Sequence, residues 1–373
     1  MMLLRRAALV ILALVLLGGA AAIVAARSPA AIAYLVERQI RARLNQPLDK
    51  TELFDAKALR VILCGTSSPL PDPNRAKTCT LVIAGGRVFV VDTGPESWKV
   101  LALMGIPGER VAGIFLTHFH SDHFGDLGEF RFQTWAAGRK HPLPVFGGPG
   151  VERITAGINE AYALDDGYRA AHHGRDITPI EAAPLLARPF HVGMSTARDE
   201  AEVILDSDGL KITAFDVNHP PIKPAVGYRF DYRGRSVVIS GDTTKWRNVV
   251  TNAKGADVLV HEAQSQRMRQ IIADVALQQG NPVIAKIFSD IENYHASPVD
   301  AAEVANQAGV RLLVLTHFSP PLPTSWLNPL YFEGMSAHRP DAAWVAGFDG
   351  LRIDLPVGSS EIIQSKMPMG IFR

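Results

Sequence analysis

Five apolar runs in this chain end in a histidine or an acidic residue, and this pattern is the strongest constraint on the fold. The runs begin at residues 114, 212, 237, 258 and 312, and the polar side chains that follow them are those of His118, His219, Asp242, His261 with Glu262, and His317. One buried histidine or capping acid is ordinary, but strands of one sheet layer ending at the same edge would bring all five groups together. The sequence therefore predicts a layered α/β domain with a polar site at one edge.

The densest polar cluster runs from Thr117 to His123 (THFHSDH). It holds three imidazoles and the carboxylate of Asp122, which are donors suited to zinc and related divalent ions. The cluster has too many ligands for one tetrahedral ion and too few for two, so His219, Asp242 and His317 are expected to supply the others. Seven ligands with Asp242 bridging predict two divalent metal ions, with zinc favoured. Such a pair makes hydroxide available near neutral pH.

The cluster resembles the HxHxDH signature of the metallo-β-lactamase superfamily. Further stretches resemble its ribonuclease Z and arylsulfatase-like branch, and together they cover about residues 59–355. These stretches are LCGTSSP at 63–69 with Arg75, VDTG at 91–94, FGGPG at 146–150, NH at 218–219 with GYR at 227–229, SGDT at 240–243, HEA at 261–263, HAS at 295–297 and LTHFS at 315–319. The resemblance implies an αββα sandwich with two metals at one edge, between the sheets.

The resemblance also implies a role for each site residue. One metal is assigned to His118, His120 and His219, and the other to Asp122, His123 and His317, with Asp242 between them. His295 is the expected non-ligating histidine that donates a proton or stabilises the oxyanion, supported by Glu262, and Asp122 is counted with these two as catalytic. The residues themselves agree on His295: Ser297, Pro298 and Asp300 look like the start of a helix, whose positive end suits an anionic substrate. His261 is expected to order the surroundings rather than to bind metal.

The N-terminus has the pattern of an export signal. Arg5 and Arg6 precede twenty uncharged, mostly apolar residues, Ala7 to Ala26, which is long enough to span a bilayer as a helix. The predicted organisation is a signal peptide or membrane anchor at 1–30, a linker with a short amphipathic helix (Tyr34 to Leu44) at 31–57, and a hydrolase domain at 58–373 with an insert at about 151–205. The catalytic domain is then expected outside the cytoplasm, anchored to the membrane, or secreted or periplasmic after cleavage.

Charge argues against a nucleic-acid partner. The chain has 38 Lys and Arg against 37 Asp and Glu. The insert at 151–205, which follows the turn after which tRNA-processing members carry a basic arm, has five Arg and no Lys against nine Asp and Glu, a net charge of −4. Such a segment repels a phosphate backbone. Nucleic acid is therefore not expected as a partner, and a homodimer is left open.

The leading hypothesis is an exported or membrane-anchored hydrolase of a small anionic ester. Hydroxide held between two metals would attack a phosphodiester or sulfate ester. Carboxyl esters, including lactones, are the less favoured substrates. The alternative is a ribonuclease Z-type endoribonuclease that processes tRNA 3′ ends. A third hypothesis, a non-catalytic metal-binding protein, is disfavoured because all seven ligand positions and His295 are present.

Cys64 and Cys79 are the only cysteines, and the resemblance places them on paired strands, where a disulfide or, as favoured here, two buried thiols would fit.

The stretch from Asp165 to Gly174, with His172 and His173, is typical of a loop.

Overall fold

The computed structural model describes residues 27–45, 51–192 and 200–370. One compact unit spans Thr51–Met369, and the helix α1 (Pro29–Asn45) lies outside it. This 17-residue helix extends the predicted amphipathic helix at both ends, and its side chains Ile32, Tyr34 and Leu35 are exposed.

The compact unit is built on two β-sheets. The strands of sheet one are β1 (Ala58–Gly65), β2 (Cys79–Ala84), β3 (Arg87–Val91), β4 (Val111–Phe115), β5 (Leu143–Gly147), β6 (Leu185–Pro189), β14 (Leu351–Pro356) and β15 (Ile363–Lys366), in the spatial order β15-β14-β1-β2-β3-β4-β5-β6. Those of sheet two are β7 (Ala201–Ser207), β8 (Leu210–Asp216), β9 (Val226–Tyr232), β10 (Arg235–Ile239), β11 (Val258–Gln264), β12 (Leu312–Ser319) and β13 (Trp344–Ala346), in the order β13-β12-β11-β10-β9-β8-β7.

One short helix precedes β1, and the other helices of the compact unit lie in connections between strands. In the compact unit they are α2 (Thr51–Phe54), α3 (Ser97–Leu103), α4 (Ser121–Phe124), α5 (Leu127–Ala136), α6 (Val151–His173), α7 (Arg247–Ala253), α8 (Gln266–Gln278), α9 (Pro282–Asp290), α10 (Pro298–Gln307), α11 (Asn328–Tyr331) and α12 (Met335–His338). Short 3₁₀ turns lie at Gly108–Arg110, Ile180–Ala182, Ile291–Asn293, Ser325–Leu327 and Asp341–Ala343.

Three apolar layers hold these elements together. The central layer packs the inner face of sheet one, through residues such as Val61 and Phe89, against the inner face of sheet two, through residues such as Phe230 and Val314. The outer layers pack α3 and α5 on sheet one and α7 and α10 on sheet two. The central strands of each sheet, such as β1 and β11, are therefore buried on both faces, and the predicted αββα sandwich is confirmed.

The sequence predicts three strands, Leu59 to Cys64, Cys79 to Ala84 and Arg87 to Asp92, with a hairpin turn at Gly85 and Gly86 between the last two. Strands β1, β2 and β3 match these ranges to within a residue at each end, and the two glycines form the turn with φ angles of 58° and 79°, which an L side chain rarely adopts. The loop predicted at 165–174 is wrong, because α6 continues to His173 and ends at Gly174.

The favoured pair of buried thiols is also wrong. Cys64 of β1 and Cys79 of β2 form a disulfide, with Cα atoms 4.9 Å apart. The two residues lie where the antiparallel register of β1 and β2 shifts, between Leu63 and Gly65. The bond therefore joins neighbouring strands of sheet one at the end that leads towards the polar site.

The predicted hydrophobic helix, Ala7 to Ala26, lies outside the described residues. Among residues 27–45, 51–192 and 200–370, no helix has the length and apolar character needed to cross a bilayer.

A buried ion pair fixes α6, the long helix of the predicted insert, on α5. The guanidinium of Arg131 donates two parallel hydrogen bonds to the carboxylate of Asp166, one of them with Nη1 2.8 Å from Oδ1, and both side chains are buried. Removing one partner would leave the other charge uncompensated in a site closed to water.

We expect Asp166→Ala to lower the free energy of unfolding by about 3–5 kcal/mol. The adjacent Asp165 forms only an exposed pair with Arg169, so Asp165→Ala should cost less than about 1 kcal/mol. Urea unfolding of both variants measures the difference, and equal losses would contradict this account of the helix.

Candidate metal centre

The five polar positions predicted from the sequence do lie at one edge, although two sheets rather than one supply them. In sheet two, β10, β11 and β12 are mutually parallel, and β8 runs in the same direction because two antiparallel pairings relate it to β10. Their carboxyl ends deliver His219, Asp242, Glu262 and His317. Sheet one contributes His118, which follows β4, and the turn and short helix that come after it.

A β-bulge aims His317 at the site. In the pairing of β11 with β12, Glu262 lies opposite Thr316 and Ala263 lies opposite Phe318, so His317 is the extra residue. Its φ of 49° is in the left-handed region, which costs energy for a residue with a Cβ. Bulges of this kind are used next to active sites to redirect a side chain.

Gly241 places Asp242 by a close approach of main chains. Its φ is 62°, and a Cβ there would lie 2.7 Å from the carbonyl oxygen of Val226. Only glycine fits this turn, which sends Asp242 into the space between the sheets.

The seven predicted ligands form two groups whose donor atoms lie within 4.8 Å of one another. The first group comprises His118, His120, His219 and Asp242, and the second comprises Asp122, His123 and His317. Asp242 joins them: its Oδ2 lies 3.9 Å from Nε2 of His118, 3.8 Å from that of His219, and 3.4 Å from those of His123 and His317.

The donor atoms have the character of metal ligands. Nε2 of His123, Nε2 of His219 and Oδ1 of Asp242 are buried and have no hydrogen-bond partner among the described residues. Buried polar atoms are normally paired, because leaving them unpaired costs free energy. Imidazole and carboxylate donors converging without protein partners fit a divalent cation, and divalent metal binding follows from this arrangement.

Electrostatics keep most of these groups in the form that binds metal. Burial lowers the pKa of His219 to about 3 and that of His118 well below its usual value, so both imidazoles are neutral. Burial opposes ionisation of Asp242, but positive charge on the imidazoles of His317 and His123 outweighs it and holds the pKa of this carboxyl well below its usual range. Burial also disfavours the imidazolium of His123, but Asp242, Asp122 and Asp92 raise its pKa well above the usual value. Metals require neutral imidazole and ionised carboxylate, so a metal that binds here displaces the proton of His123.

Asp92, which lies in the VDTG stretch but was given no role from the sequence, belongs to the site. Its Oδ2 lies 2.8 Å from Nδ1 of His123, and its two oxygens accept hydrogen bonds from N and Oγ1 of Thr117 at 2.8 Å each. It thereby fixes the ring of His123, with Nε2 facing Asp122 and Asp242. The signal was available, since Asp92 directly follows the apolar strand β3 and is a further apolar run ending in an acid.

A second histidine–carboxylate pair borders the candidate metal ligands. Nδ1 of His295 lies 2.8 Å from Oε1 of Glu262, which also accepts a hydrogen bond from the backbone N of Thr243. Burial disfavours the imidazolium, but the charge and hydrogen bond of Glu262 raise the pKa of His295 to about 8. The expected helix start is present, since Ser297 and Asp300 form a capping box at the N-terminus of α10.

The remaining histidines singled out by the sequence lie apart from the two donor groups. His261 is buried and its Nδ1 lies 2.8 Å from the carbonyl oxygen of Glu262. His172 and His173 are exposed at the end of α6, with ring centroids 4.7 Å apart.

Comparison with known proteins identifies the fold. The family described as Beta-lactamase superfamily domain matches residues 87–318. Among solved structures, a metallo-β-lactamase fold protein of Bacillus subtilis, YhfI, matches with a TM-score of 0.55 at 19% identity, covering 80% of this chain and 99% of that one. The short form of human tRNase Z matches with a TM-score of 0.55 at 21% identity, with the same coverage. The fold is the metallo-β-lactamase fold.

Sequence relatives define the family more narrowly. Ribonuclease Z of Mycobacterium avium is 38% identical over 267 residues, which cover 71% of this chain and 87% of the relative. Ribonuclease Z of Mycolicibacterium gilvum is 36% identical over 267 residues, covering 71% and 85%. The chain therefore belongs to the metallo-β-lactamase superfamily and, within it, to the ribonuclease Z family, and it is a metal-dependent hydrolase.

These relatives overturn three expectations. The hypothesis of an exported hydrolase of small phosphate or sulfate esters is wrong, because the relatives are named for action on RNA. The expectation that nucleic acid is not a partner is wrong for the same reason. The expected membrane-anchored, secreted or periplasmic location is contradicted by the same relatives; it rested on Ala7 to Ala26, outside the described residues.

Glu262 is expected to set the protonation of His295. We predict that Glu262→Gln lowers the pKa of His295 in the metal-free protein, because a neutral amide removes the charge that favours the imidazolium. The pKa of His295, about 8, lies above the ordinary value of 6.5. Protonation of His295 therefore stabilises the folded protein fully below about pH 6.5, and this stabilisation is lost as the pH rises through about 8. NMR titration of the imidazole measures the shift.

The matched control is Glu303→Gln, which changes a partly exposed carboxylate that contacts Lys245 and His338 instead. An unchanged His295 titration in Glu262→Gln would show that Glu262 does not control this proton.

Proposed function

We propose that this protein is a ribonuclease Z-type endoribonuclease that cleaves precursor tRNA at the 3′ side with two bound divalent metal ions, zinc being favoured. The observation that carries the proposal is the complete pair of donor groups joined by Asp242, in a chain that shares 38% identity with a ribonuclease Z over 87% of that relative. The identity supports the substrate, and the donor groups support the chemistry.

The residues present can hold both ions. His118, His120 and His219 would bind one, Asp122, His123 and His317 the other, and Asp242 lies between the two groups with Oδ2 facing both. Zinc is favoured because imidazole and carboxylate are its usual ligands, three protein ligands with one open position being typical of catalytic sites. When bound, two divalent ions lower the pKa of water and stabilise charge on a phosphoryl group under attack.

His295 would supply the proton. In cleavage of a phosphodiester, the leaving ribose oxygen needs a proton, and an imidazolium next to the metal ligands can donate one. Glu262 accepts the hydrogen bond of Nδ1 and keeps the imidazolium populated near neutral pH, which leaves Nε2 to act on the substrate. In the metal-free protein the pKa of His295 is about 8, so the imidazolium predominates near neutral pH.

Anchoring of the two histidine rings supports the arrangement. Asp92 fixes His123, and the main chain at Tyr294 fixes His219, with a distance of 2.8 Å from Nδ1 to the partner oxygen in each case. Hydrogen bonding of Nδ1 directs Nε2 of each ring towards Asp242. Groups that are held in place before the substrate arrives need no reorganisation in the transition state.

Asp242→Ala tests the metal centre and the activity together. We expect cleavage of a precursor tRNA to fall by about 10³-fold or more, because several kcal/mol of transition-state stabilisation depend on the two ions, and the metal content to fall below two equivalents per chain. Asp176→Ala, which removes an exposed carboxylate, is the control and should leave both quantities unchanged. Elemental analysis and gel-based cleavage assays measure them, and full activity in Asp242→Ala would refute the proposal.

The substrate is tested by salt and by metal removal. Cleavage of precursor tRNA should be lost after chelation, return on addition of zinc, and weaken steeply with rising salt, because binding a phosphate backbone releases counterions. Indifference of the reconstituted enzyme to precursor tRNA at low salt would contradict the substrate assignment while leaving the metal centre intact.

A further inference from the structure

We propose that Tyr294 is a positioning residue of the metal centre, whose carbonyl and ring together hold the imidazole of His219 in the one orientation that presents Nε2 to Asp242. The inference rests on the proposed role of His219 as a metal ligand and deepens it, because it explains what keeps this ligand in place.

The carbonyl sets the protonation pattern of the ring. The oxygen of Tyr294 lies 2.8 Å from Nδ1 of His219, and a carbonyl can only accept, so the proton of the neutral imidazole lies on Nδ1. The lone pair is then on Nε2, which is buried, lies 3.8 Å from Oδ2 of Asp242 and has no protein partner among the described residues. This is the form in which a histidine binds a metal.

The aromatic ring restricts rotation of the imidazole. The rings of Tyr294 and His219 are stacked face to face, with centroids 4.5 Å apart and planes 9° from parallel. A single hydrogen bond at Nδ1 still allows the imidazole of His219 to rotate about that bond. The stacked ring of Tyr294 opposes this rotation because it contacts the whole face of the imidazole. The Tyr294 ring also lies 4.5 Å from that of His295 at 42°, so one side chain contacts both a proposed ligand and the proposed proton donor.

The main chain around Tyr294 is held independently of its ring. Nε2 of Gln264 donates to the carbonyl of Ile291 at 2.9 Å, and the backbone N of Gln264 donates to the carbonyl of Ala296 at 2.8 Å. These bonds tie both flanks of Tyr294 to the end of β11. Removing the ring should therefore leave the carbonyl hydrogen bond to His219 in place, which isolates the effect of stacking.

The stacking explanation also predicts which part of Tyr294 matters. The phenol hydroxyl has no hydrogen-bond partner among the described residues, and it contributes nothing to the contact between the two rings. Phenylalanine should therefore replace tyrosine, whereas a side chain without a ring should not.

The test is the affinity of the full-length protein for zinc, measured by competition with a chromogenic chelator and without RNA. We expect Tyr294→Ala to bind at least one of the two equivalents about 10- to 100-fold more weakly, the range found when a group that orients a ligand is removed. Tyr294→Phe should match the unchanged protein. Tyr168→Ala, which removes an exposed tyrosine on α6, is the control, and cobalt(II) absorption spectra report changes in ligand geometry separately from affinity.

The results separate this inference from the proposed function. Unchanged zinc affinity and cobalt spectra in Tyr294→Ala overturn it, and so does an equal loss in Tyr294→Phe, which would assign the role to the hydroxyl. Tyr294→Leu provides the same comparison if the alanine variant does not fold. Weaker zinc binding in Tyr294→Ala upholds the inference even if the unchanged protein fails to cleave precursor tRNA, since the measurement needs no substrate.

Discussion

One carboxylate oxygen, Oδ2 of Asp242, is the point on which the structure depends. It is buried between the sheets and lies within 4 Å of the Nε2 atoms of four histidines. A buried carboxylate is stable only when positive or polarisable partners surround it, and these partners come from distant parts of the chain. The sandwich, the bulge at His317 and the glycine turn at Gly241 all serve to bring them to this atom.

Much of the site was predictable because a buried strand appears in the sequence as an apolar run whose end can be recognised. An apolar run buried on both faces must end where its chain reaches the surface, and a histidine or acid at that point belongs to the sheet edge. This reasoning found His118, His219, Asp242 and His317 and could have found Asp92. It could not find Tyr294, because a parallel ring contact across the sheet edge has no spacing in the sequence that would reveal it.

The predictions about the RNA partner and the loop at 165–174 were wrong because each relied on one local property of the sequence. The net charge of residues 151–205 was taken as an argument against RNA. Of these residues, the structure describes 151–192 and 200–205, which contain the helix α6, the edge strand β6 and the start of the edge strand β7, and their net charge describes this segment alone. The loop predicted at 165–174 failed for a related reason: Gly167 and Gly174 look like breaks, but Gly167 has open space around its Cα and the buried pair of Arg131 with Asp166 holds the helix through it.

The division of ligands between two sheets has a consequence for folding. His118, His120, Asp122 and His123 follow β4 of sheet one, whereas His219 and Asp242 follow β8 and β10 of sheet two and His317 lies within β12. In the proposed ligand assignment, each ion would therefore cross-link the two layers. Binding energy that is available only to the native state adds to its stability. In the proposed assignment, the bound metal ions would also stabilise the packing of the two sheets. Substitutions that loosen this packing, even far from the site, are then expected to lower the affinity for metal.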